Sequence, residues 1–191
     1  MKKSSLYSLF TSVILLLPVI AYAATPINIY VIPDYLKTSE STEKALVVTS
    51  LEEARKLLNK RDDLTSKSII NILFASGVHR GDAVAWNLDL NGAQVNFSPI
   101  ENSAGAVIFD GKGSRLATFF TVRIPKKNGE SLTNSNLHFK NFTIRNYCQG
   151  INLAGNSHTS RFADLENNSI KQIKFLNIGS KFDPLVEENK P

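Results

Sequence analysis

An internal repeat links residues 139–147 to residues 170–178 and constrains the fold of this chain more than any other feature. At an offset of 31 residues, apolar side chains coincide in the pairs Phe139/Ile170, Phe142/Ile173, Ile144/Phe175 and Tyr147/Ile178, and Asn146 coincides with Asn177. A fixed offset with coincident apolar positions is typical of stacked structural repeats. A β-sandwich gives no reason for apolar phase and asparagine position to recur together, so the repeat favours a β-solenoid.

After Ser68 the chain consists of short apolar runs bounded by Gly, Asn, Asp or Pro. These runs are rich in Val, Ile and Phe, as β-strands are, and the gaps between them have no helical periodicity. Many short strands in series predict an all-β sandwich, barrel or β-solenoid. The predicted strand regions are Ile69–Ala75, Ala83–Leu88, Ala93–Phe97, Ala106–Phe109, Phe119–Ile124, Leu137–Ile144, Ile151–Ala154 and Ile170–Ile178.

Asparagine is unusually common in the region of these strands. Eighteen asparagines follow residue 23, and nine of them lie within residues 134–177. Helices disfavour asparagine because its side chain competes for backbone hydrogen bonds, whereas a tight corner tolerates it in a left-handed conformation. We therefore predict a corner at Asn141, which interrupts the two-residue alternation of its strand, and a ladder of stacked side chains at Asn146 and Asn177.

Residues 1–23 have the three parts of a signal peptide. Lys2 and Lys3 are followed by the apolar run Leu6–Ile20 and by an A-x-A cleavage site that ends at Ala23. A membrane anchor is the alternative, but the run is short for a span, and no later stretch approaches 18 apolar residues. We predict an exported protein, periplasmic or extracellular, with no membrane span in the mature chain.

Residues 24–67 are predicted to form two short opening strands and an N-terminal capping helix. Ser50 and Glu53 match a capping box, and apolar residues on one face follow to about Lys60. A helix in this place covers the open end of a solenoid core, as a terminal repeat requires. The predicted repeats then occupy residues 68–180, and residues 181–191 form a polar C-terminal tail.

Charge and cysteine content exclude several classes of function. The formal net charge is +5 and scattered, and it falls further if Lys2 and Lys3 are removed, so nucleic acid is not an expected partner. Cys148 is the only cysteine, so no internal disulfide forms. The three histidines lack metal-ligand spacing and no metal or nucleotide motif is present. We therefore predict neither a metal nor a cofactor.

Five segments together resemble a known family: SLEEARKLL, INILFASGVHRGDAVAWNLDLNGAQVNF, VIFDG, NLHFKNFTIRNYCQGINLAGN and NNSIKQIKFLNIG. They resemble the opening of a right-handed parallel β-helix protein of the pectate-lyase-like superfamily, over about Val47 to Ser180. The resemblance implies this fold with an N-terminal capping helix, but it implies no particular reaction, because such a fold hosts many functions.

The C-terminal end departs from this family, whose solenoids usually continue for many more rungs. The β-helix is therefore predicted to be truncated after Ile178, with an exposed last rung. Such a rung presents unpaired strand edges and an apolar cross-section. We expect the mature chain to self-associate through it.

Basic side chains occupy the predicted outward positions of the repeat. Lys140, Arg145, Lys171 and Lys174 form a stripe, and Arg123 is predicted to extend the same face. A positive stripe is suited to an acidic polysaccharide, so these residues are the candidate glycan-binding residues. The alternative is a solvated outer face whose lysines discourage edge pairing.

Two functions remain open from the sequence. The first is an exported, glycan-associated β-helix protein, non-catalytic as it stands or the N-terminal part of a larger protein. The second is a polysaccharide-acting enzyme, a lyase, hydrolase or epimerase, on an acidic polysaccharide. A lyase needs a base beside a charge-stabilising group, and a glycosidase needs two carboxylates. The stripe offers neither, so no catalytic residue is predicted.

One tripeptide suggests a further function. His79, Arg80, Gly81 and Asp82 follow one another and read as a turn, and they include an Arg-Gly-Asp sequence. Such a tripeptide suggests a function in adhesion. However, a tripeptide can match by chance, and the glycine accounts for the turn.

Overall fold

The computed structural model describes residues 25–36, 46–103, 105–111, 118–123, 132–133, 136–153, 164–165 and 167–179. Within these residues the protein is all-β, with parallel sheets and one α-helix. The predicted signal peptide, residues 1–23, and the predicted polar tail, residues 181–191, lie outside the described residues. In the described part of the chain, no helix has the length and apolarity needed to cross a lipid bilayer.

Three main parallel sheets and one small sheet make up the described fold. Sheet A has, in spatial order, β14 (Ser169–Lys171), β10 (Leu137–Lys140), β6 (Gln94–Pro99), β3 (Ile69–Phe74), β1 (Ile27–Val31) and β2 (Leu46–Val48). Sheet B has β15 (Lys174–Leu176), β11 (Thr143–Arg145), β7 (Val107–Asp110) and β4 (Gly77–Arg80). Sheet C has β12 (Gln149–Leu153), β8 (Thr118–Val122) and β5 (Val84–Trp86), while β9 (Leu132–Thr133) pairs with β13 (Asp164–Leu165).

The chain visits the sheets in a fixed order. From β3 onward it runs through sheet A, then B, then C, and returns to A for the next pass. Each strand pairs in parallel with the equivalent strand of the neighbouring pass, and every strand pair among the described residues is parallel. Equivalent side chains of successive passes therefore become neighbours across strands.

The predicted register at an offset of 31 residues is confirmed. Phe139 pairs with Ile170 in sheet A, and Ile144 pairs with Phe175 in sheet B. The same offset relates Phe120 to its partner in β12. The first passes are shorter, since Asn71 and Asn96 are neighbours at a separation of 25 residues.

The predicted asparagine corners are also confirmed. Asn141 has φ 62°, and it lies between β10 of sheet A and β11 of sheet B. Gln172 occupies the equivalent corner of the next pass with φ 55°. Asn146 and Asn177 both have positive φ, and the side-chain amide of Asn177 donates to Asn146 Oδ1 at 3.3 Å. Asparagine adopts this conformation at lower cost than most residues, and its amide adds a bond between passes.

Aromatic side chains from all three main sheets fill the interior. Phe97 stacks on Phe139 with ring centroids 4.6 Å apart and planes inclined by 7°. In sheet C, Trp86 stacks on Phe120 at 5.6 Å. Burying one such side chain contributes about 1.5–3 kcal/mol, and a well-placed ring pair adds about 0.5–1.5 kcal/mol. These columns therefore supply much of the favourable free energy of folding.

Helix α1 (Leu51–Leu58) covers the first pass, as the sequence predicts. Ser50 caps it by accepting the Glu53 amide at 3.2 Å, but the Glu53 carboxylate binds the backbone amide of Thr49 at 2.8 Å instead of that of Ser50. The buried face packs on β1, β2 and β5. A short 3-10 helix (Asp34–Leu36) follows β1.

The predicted turn at residues 79–82 is wrong in its first half. His79 and Arg80 lie in strand β4, which pairs with β7 in sheet B. The sequence pattern suggested a turn because this short strand begins with Gly77, which has φ 128°, and is followed by Gly81, which has φ 71°. Glycine at both ends resembles a loop, although here each glycine makes a corner between two strands.

The last described pass leaves its apolar side chains partly open, as expected for an exposed last rung. Ile170, Phe175 and Leu176 are 43%, 46% and 49% exposed. Phe139 and Ile144, which pair with Ile170 and Phe175, are fully buried, whereas Leu176 pairs with Arg145 at an outward position. The columns of inward side chains therefore end in a last strand that the other described residues do not cover.

Candidate functional site

Two lysines lie side by side at the outer face of sheet A. Lys140 ends β10 and Lys171 ends β14, and the two residues are direct partners in the parallel register. Both side chains are exposed. Neighbouring strands are about 4.8 Å apart, and like charges directly opposite each other destabilise a sheet. An anion bound between these two ammonium groups would relieve that repulsion.

A third lysine lies just beyond the corner in sheet B. Lys174 begins β15 beside Thr143 of β11, and its side chain is exposed. A shallow depression of about 210 Å³ opens at this corner, lined by Ala106, Val107, Asn141, Phe142, Thr143, Gln172 and Lys174. We call this depression, with Lys140 and Lys171 beside it, the corner site. Its amide, hydroxyl and ammonium groups surround an apolar floor.

A column of polar side chains runs across the outer face of sheet A. The side-chain amide of Asn71 donates to Asn28 Oδ1, and that of Asn96 donates to Asn71 Oδ1, each at 2.9 Å. His138 continues the column beside Asn96, and Ser169 is the next member. The column is continuous with the strand that carries Lys140, so polar groups extend from the corner site along the sheet.

The pKa of His138 is affected by the positive charge of the corner site. Its Nε2 lies 2.9 Å from Asn136 Oδ1, an acceptor, so this nitrogen carries the hydrogen. Nδ1 then accepts from the Ser169 hydroxyl at 2.8 Å. Burial lowers the pKa of His138, and the positive charge of Lys171 lowers it further. The ammonium group of Lys171 is thus close enough to perturb the imidazole.

Arg145 lies on the predicted stripe but is paired with a buried carboxylate, that of Asp110. Its Nε and Nη2 atoms contact Asp110 Oδ2 at 2.8 and 2.7 Å. The side-chain amide of Asn146 donates to Asp110 Oδ1 at 2.7 Å. Asp110 is almost completely buried, and a buried carboxylate without a partner is strongly destabilising. The positive charge of Arg145 therefore stabilises the buried carboxylate of Asp110.

Arg123 lies apart from the three lysines. It follows β8 of sheet C, and its backbone amide donates to the carbonyl of Trp86 at 2.8 Å. Its side chain is exposed. Lys140 and Lys171 belong to sheet A, so the structure does not bring Arg123 into the same sheet face.

The Arg-Gly-Asp tripeptide does not present its carboxylate to solvent. The side chain of Asp82 is only 11% exposed, and burial raises its pKa above the ordinary value. The Tyr147 hydroxyl donates to the backbone carbonyl of Asp82 at 2.6 Å. Asp82 is therefore part of the packed corner after β4, which is a structural role.

His79 is a core residue. Its ring is completely buried between Phe74 and Phe109, and its Nε2 lies 2.8 Å from the carbonyl oxygen of Ala75. Burial lowers its pKa, so the neutral imidazole is the stable form. A ring without access to solvent cannot exchange protons with a substrate.

Among the residues that the structure describes, no three His, Cys, Asp or Glu side chains are grouped so that they could hold a metal ion. The corner site brings three of the predicted site residues together, whereas a depression of about 250 Å³ beside Leu58 and Arg61 contains none of them.

Comparison with known proteins gives no lead. No protein-family model, no curated protein and no solved structure matches this chain.

Sequence reasoning found the lysines but missed the polar column. The signal was present: a polar residue stands between apolar neighbours in I-N-I, V-N-F and L-H-F of β3, β6 and β10. Such alternation places these side chains on the outer face. That they form one column follows only from the register, because the passes differ in length.

Proposed function

We propose that this protein is an exported right-handed parallel β-helix that binds an acidic polysaccharide at the corner site and is non-catalytic as it stands. The repeated order of sheets A, B and C, the parallel pairing of short strands and the helix on the first pass support this fold. The five segments that resemble the pectate-lyase-like superfamily lend it further support. The signal-peptide pattern of residues 1–23 supports export to the periplasm or the cell exterior.

The in-register pair of Lys140 and Lys171, with Lys174 around the corner, carries the proposed function. A polyuronate presents a row of carboxylates, and ammonium groups on successive strands form a complementary row. Hydroxyl and amide groups at the depression, from Thr143, Asn141 and Gln172, suit the hydroxyls of a sugar. An acidic glycan satisfies both kinds of group at once.

Neither buried carboxylate favours the enzyme alternative. Asp110 is held by Arg145 and Asn146, and the side chain of Asp82 is only 11% exposed. Neither of them lines the corner depression. A lyase or hydrolase mechanism needs such a group beside the substrate, so binding is the function that we propose.

Titration of polygalacturonate and of a neutral glucan tests this proposal. Wild type should bind polygalacturonate weakly at low salt, and binding should fade as the Debye length shortens to about 8 Å at physiological ionic strength. An exposed ion pair contributes at most about 1 kcal/mol. The double variant Lys171→Gln with Lys174→Gln should therefore weaken binding by up to about thirty-fold.

Lys67→Gln is the matched control, because Lys67 is exposed but precedes β3, at the other end of the sheet A strands. It should bind as wild type does. NMR of His138 gives a second readout, since an anion at Lys171 raises the lowered pKa of this histidine. Equal binding of both polymers contradicts the proposal, and unsaturated product at alkaline pH would favour the lyase.

A further inference from the structure

The outer edge of sheet C is open among the described residues. The strand order is β12, β8, β5, so β12 is an edge strand whose outward N–H and C=O groups face no other described strand. Its Ile151 extends an inward column that begins with Val84 and Phe120, both buried. Ile151 itself is only partly buried. The edge therefore offers both backbone partners and an unfinished apolar column.

Phe175 lies beside this edge. A Cβ built on Gly150 of β12 would come within 2.6 Å of the Phe175 ring, so the ring rests on the space that this glycine leaves. The other side of Phe175 is open, since 46% of the residue is exposed. A further apolar side chain placed over Ile151 would cover it.

The register of the last pass identifies what reaches this edge. β10 and β14, β11 and β15, and β8 and β12 are all related by 31 residues. Gly179 extends the last pass beyond β15, because its amide donates to the carbonyl of Tyr147 at 3.3 Å. The same offset applied to the following residues would set Ser180–Pro184 beside Gln149–Leu153.

The chemistry of that segment fits each position. At this offset Phe182 would lie beside Ile151 and extend the inward column. Asp183 would lie beside Asn152, whose partner Thr121 is also polar. Pro184 lacks an N–H, which an edge strand tolerates.

We propose that the segment Ser180–Pro184 of this chain, which lies outside the described residues, docks in parallel along the free edge of β12. Phe182 covers Ile151 and the open side of Phe175. This inference is independent of glycan binding, because no residue of the corner site lines the edge.

A cysteine pair tests the register directly. In a Cys148→Ser background, Ile151→Cys with Phe182→Cys places two thiols on neighbouring in-register strands, about 4.8 Å apart at Cα. A disulfide spans about 4.4–6.8 Å. We expect nearly complete intramolecular oxidation, measured by thiol counting and by non-reducing electrophoresis. The control pair Asn152→Cys with Phe182→Cys should stay mostly reduced, because those side chains point to opposite faces.

Disulfide-linked dimers would overturn the proposal by showing that a second copy occupies the edge. Equal oxidation of both cysteine pairs, or of neither, would also overturn it. A second comparison avoids changes within β12: Phe182→Ser should lower the denaturant midpoint of unfolding, whereas the matched variant Asp183→Ser should not. A wild-type midpoint for Phe182→Ser would contradict the docking.

Discussion

At the scale of single residues, backbone conformation decides where the chain changes sheets. Eight described residues other than glycine have positive φ, and seven of them are asparagine. The exception, Gln172, occupies the corner that Asn141 makes one pass earlier. Asparagine reaches this conformation at lower cost than most residues, because its short amide bonds locally with the backbone. The abundance of asparagine is therefore a consequence of the number of corners.

Two glycines that both follow sheet B strands should respond differently to substitution. A Cβ at Gly111 would clash with the Asn146 carbonyl oxygen and lie 2.8 Å from the Tyr147 ring. We expect Gly111→Ala to lower the free energy of unfolding by about 2 kcal/mol or more. Gly81 has open space around it but φ 71°, so Gly81→Ala should cost only about 1–2 kcal/mol. Urea titration measures both, and a larger cost at Gly81 would contradict this account.

Asp82 should make stability depend on pH. Burial raises its pKa to about 6 from 3.8, so the folded state holds this proton more tightly than the unfolded state. Its ionisation therefore costs stability as the pH rises from about 4 to about 6, on the order of 3 kcal/mol in full. Asp82→Asn keeps the size of the side chain but cannot ionise. This variant should be more stable than wild type at pH 7 and lose that advantage at pH 4.

Urea titrations of both proteins between pH 4 and pH 7 check the expectation for Asp82. His79 has a lowered pKa and destabilises the fold as the pH falls through its unfolded value. His79 Nδ1 lies 3.9 Å from Asp82 Oδ2, so the difference between the two proteins includes the effect of Asp82 on this histidine. A stability difference that stays constant across the pH range would show that the Asp82 carboxylate is not buried as described.

At the scale of secondary structure elements, parallel register determines which side chains are core. Phe142 and Phe175 both occupy inward positions of the repeat, but Phe175 belongs to the last rung, which is expected to be exposed. Phe142 is 4% exposed, whereas Phe175 lies in the last described strand of sheet B and is 46% exposed. A residue can occupy a core position of the repeat and still lack the neighbour that would bury it.

Alanine substitutions should separate the two phenylalanines. Phe142→Ala should lower the free energy of unfolding by about 3–5 kcal/mol, as for a buried aromatic residue. Phe175→Ala should cost less than Phe142→Ala, because the described residues leave Phe175 46% exposed. Docking of Phe182 would narrow this difference. Equal losses in a denaturant titration would mean that Phe175 is covered to the same degree as Phe142.

At the scale of the whole molecule, the two ends of the stack of passes differ. Helix α1 lies on the first pass and buries Leu51, Ala54 and Leu58. At the other end, β14 and β15 are edge strands among the described residues. They carry the exposed side chains of Ile170 and Leu176, respectively. Exposed edges with apolar side chains favour pairing with another chain.

We therefore expect the mature chain to self-associate through β14 and β15. Sedimentation velocity across a wide range of concentration should show a concentration-dependent rise in mean mass. Ile170→Lys with Leu176→Lys should abolish it, because charges on edge strands block pairing. Lys56→Gln, on the exposed face of α1, is the control. A dilution-insensitive monomer in wild type would contradict the expectation.

Much of the fold could be predicted from local pattern. The strand regions, the helix cap at Ser50, the 31-residue register and the corner at Asn141 all follow from apolar spacing and residue type. These features depend on interactions within a few residues, or on an offset that the sequence repeats. Strand β4 was missed because its flanking glycines make corners that resemble a loop.

The candidate site could be predicted only in part. The sequence alone determined that Lys140 and Lys171 would be neighbours, since their spacing equals the repeat offset. Only the tertiary structure decided that Arg145 pairs with Asp110 and that Arg123 lies in sheet C. The passes between these residues differ in length, so distance along the chain does not give distance in space. Loop lengths therefore hide the partners that parallel pairing brings together.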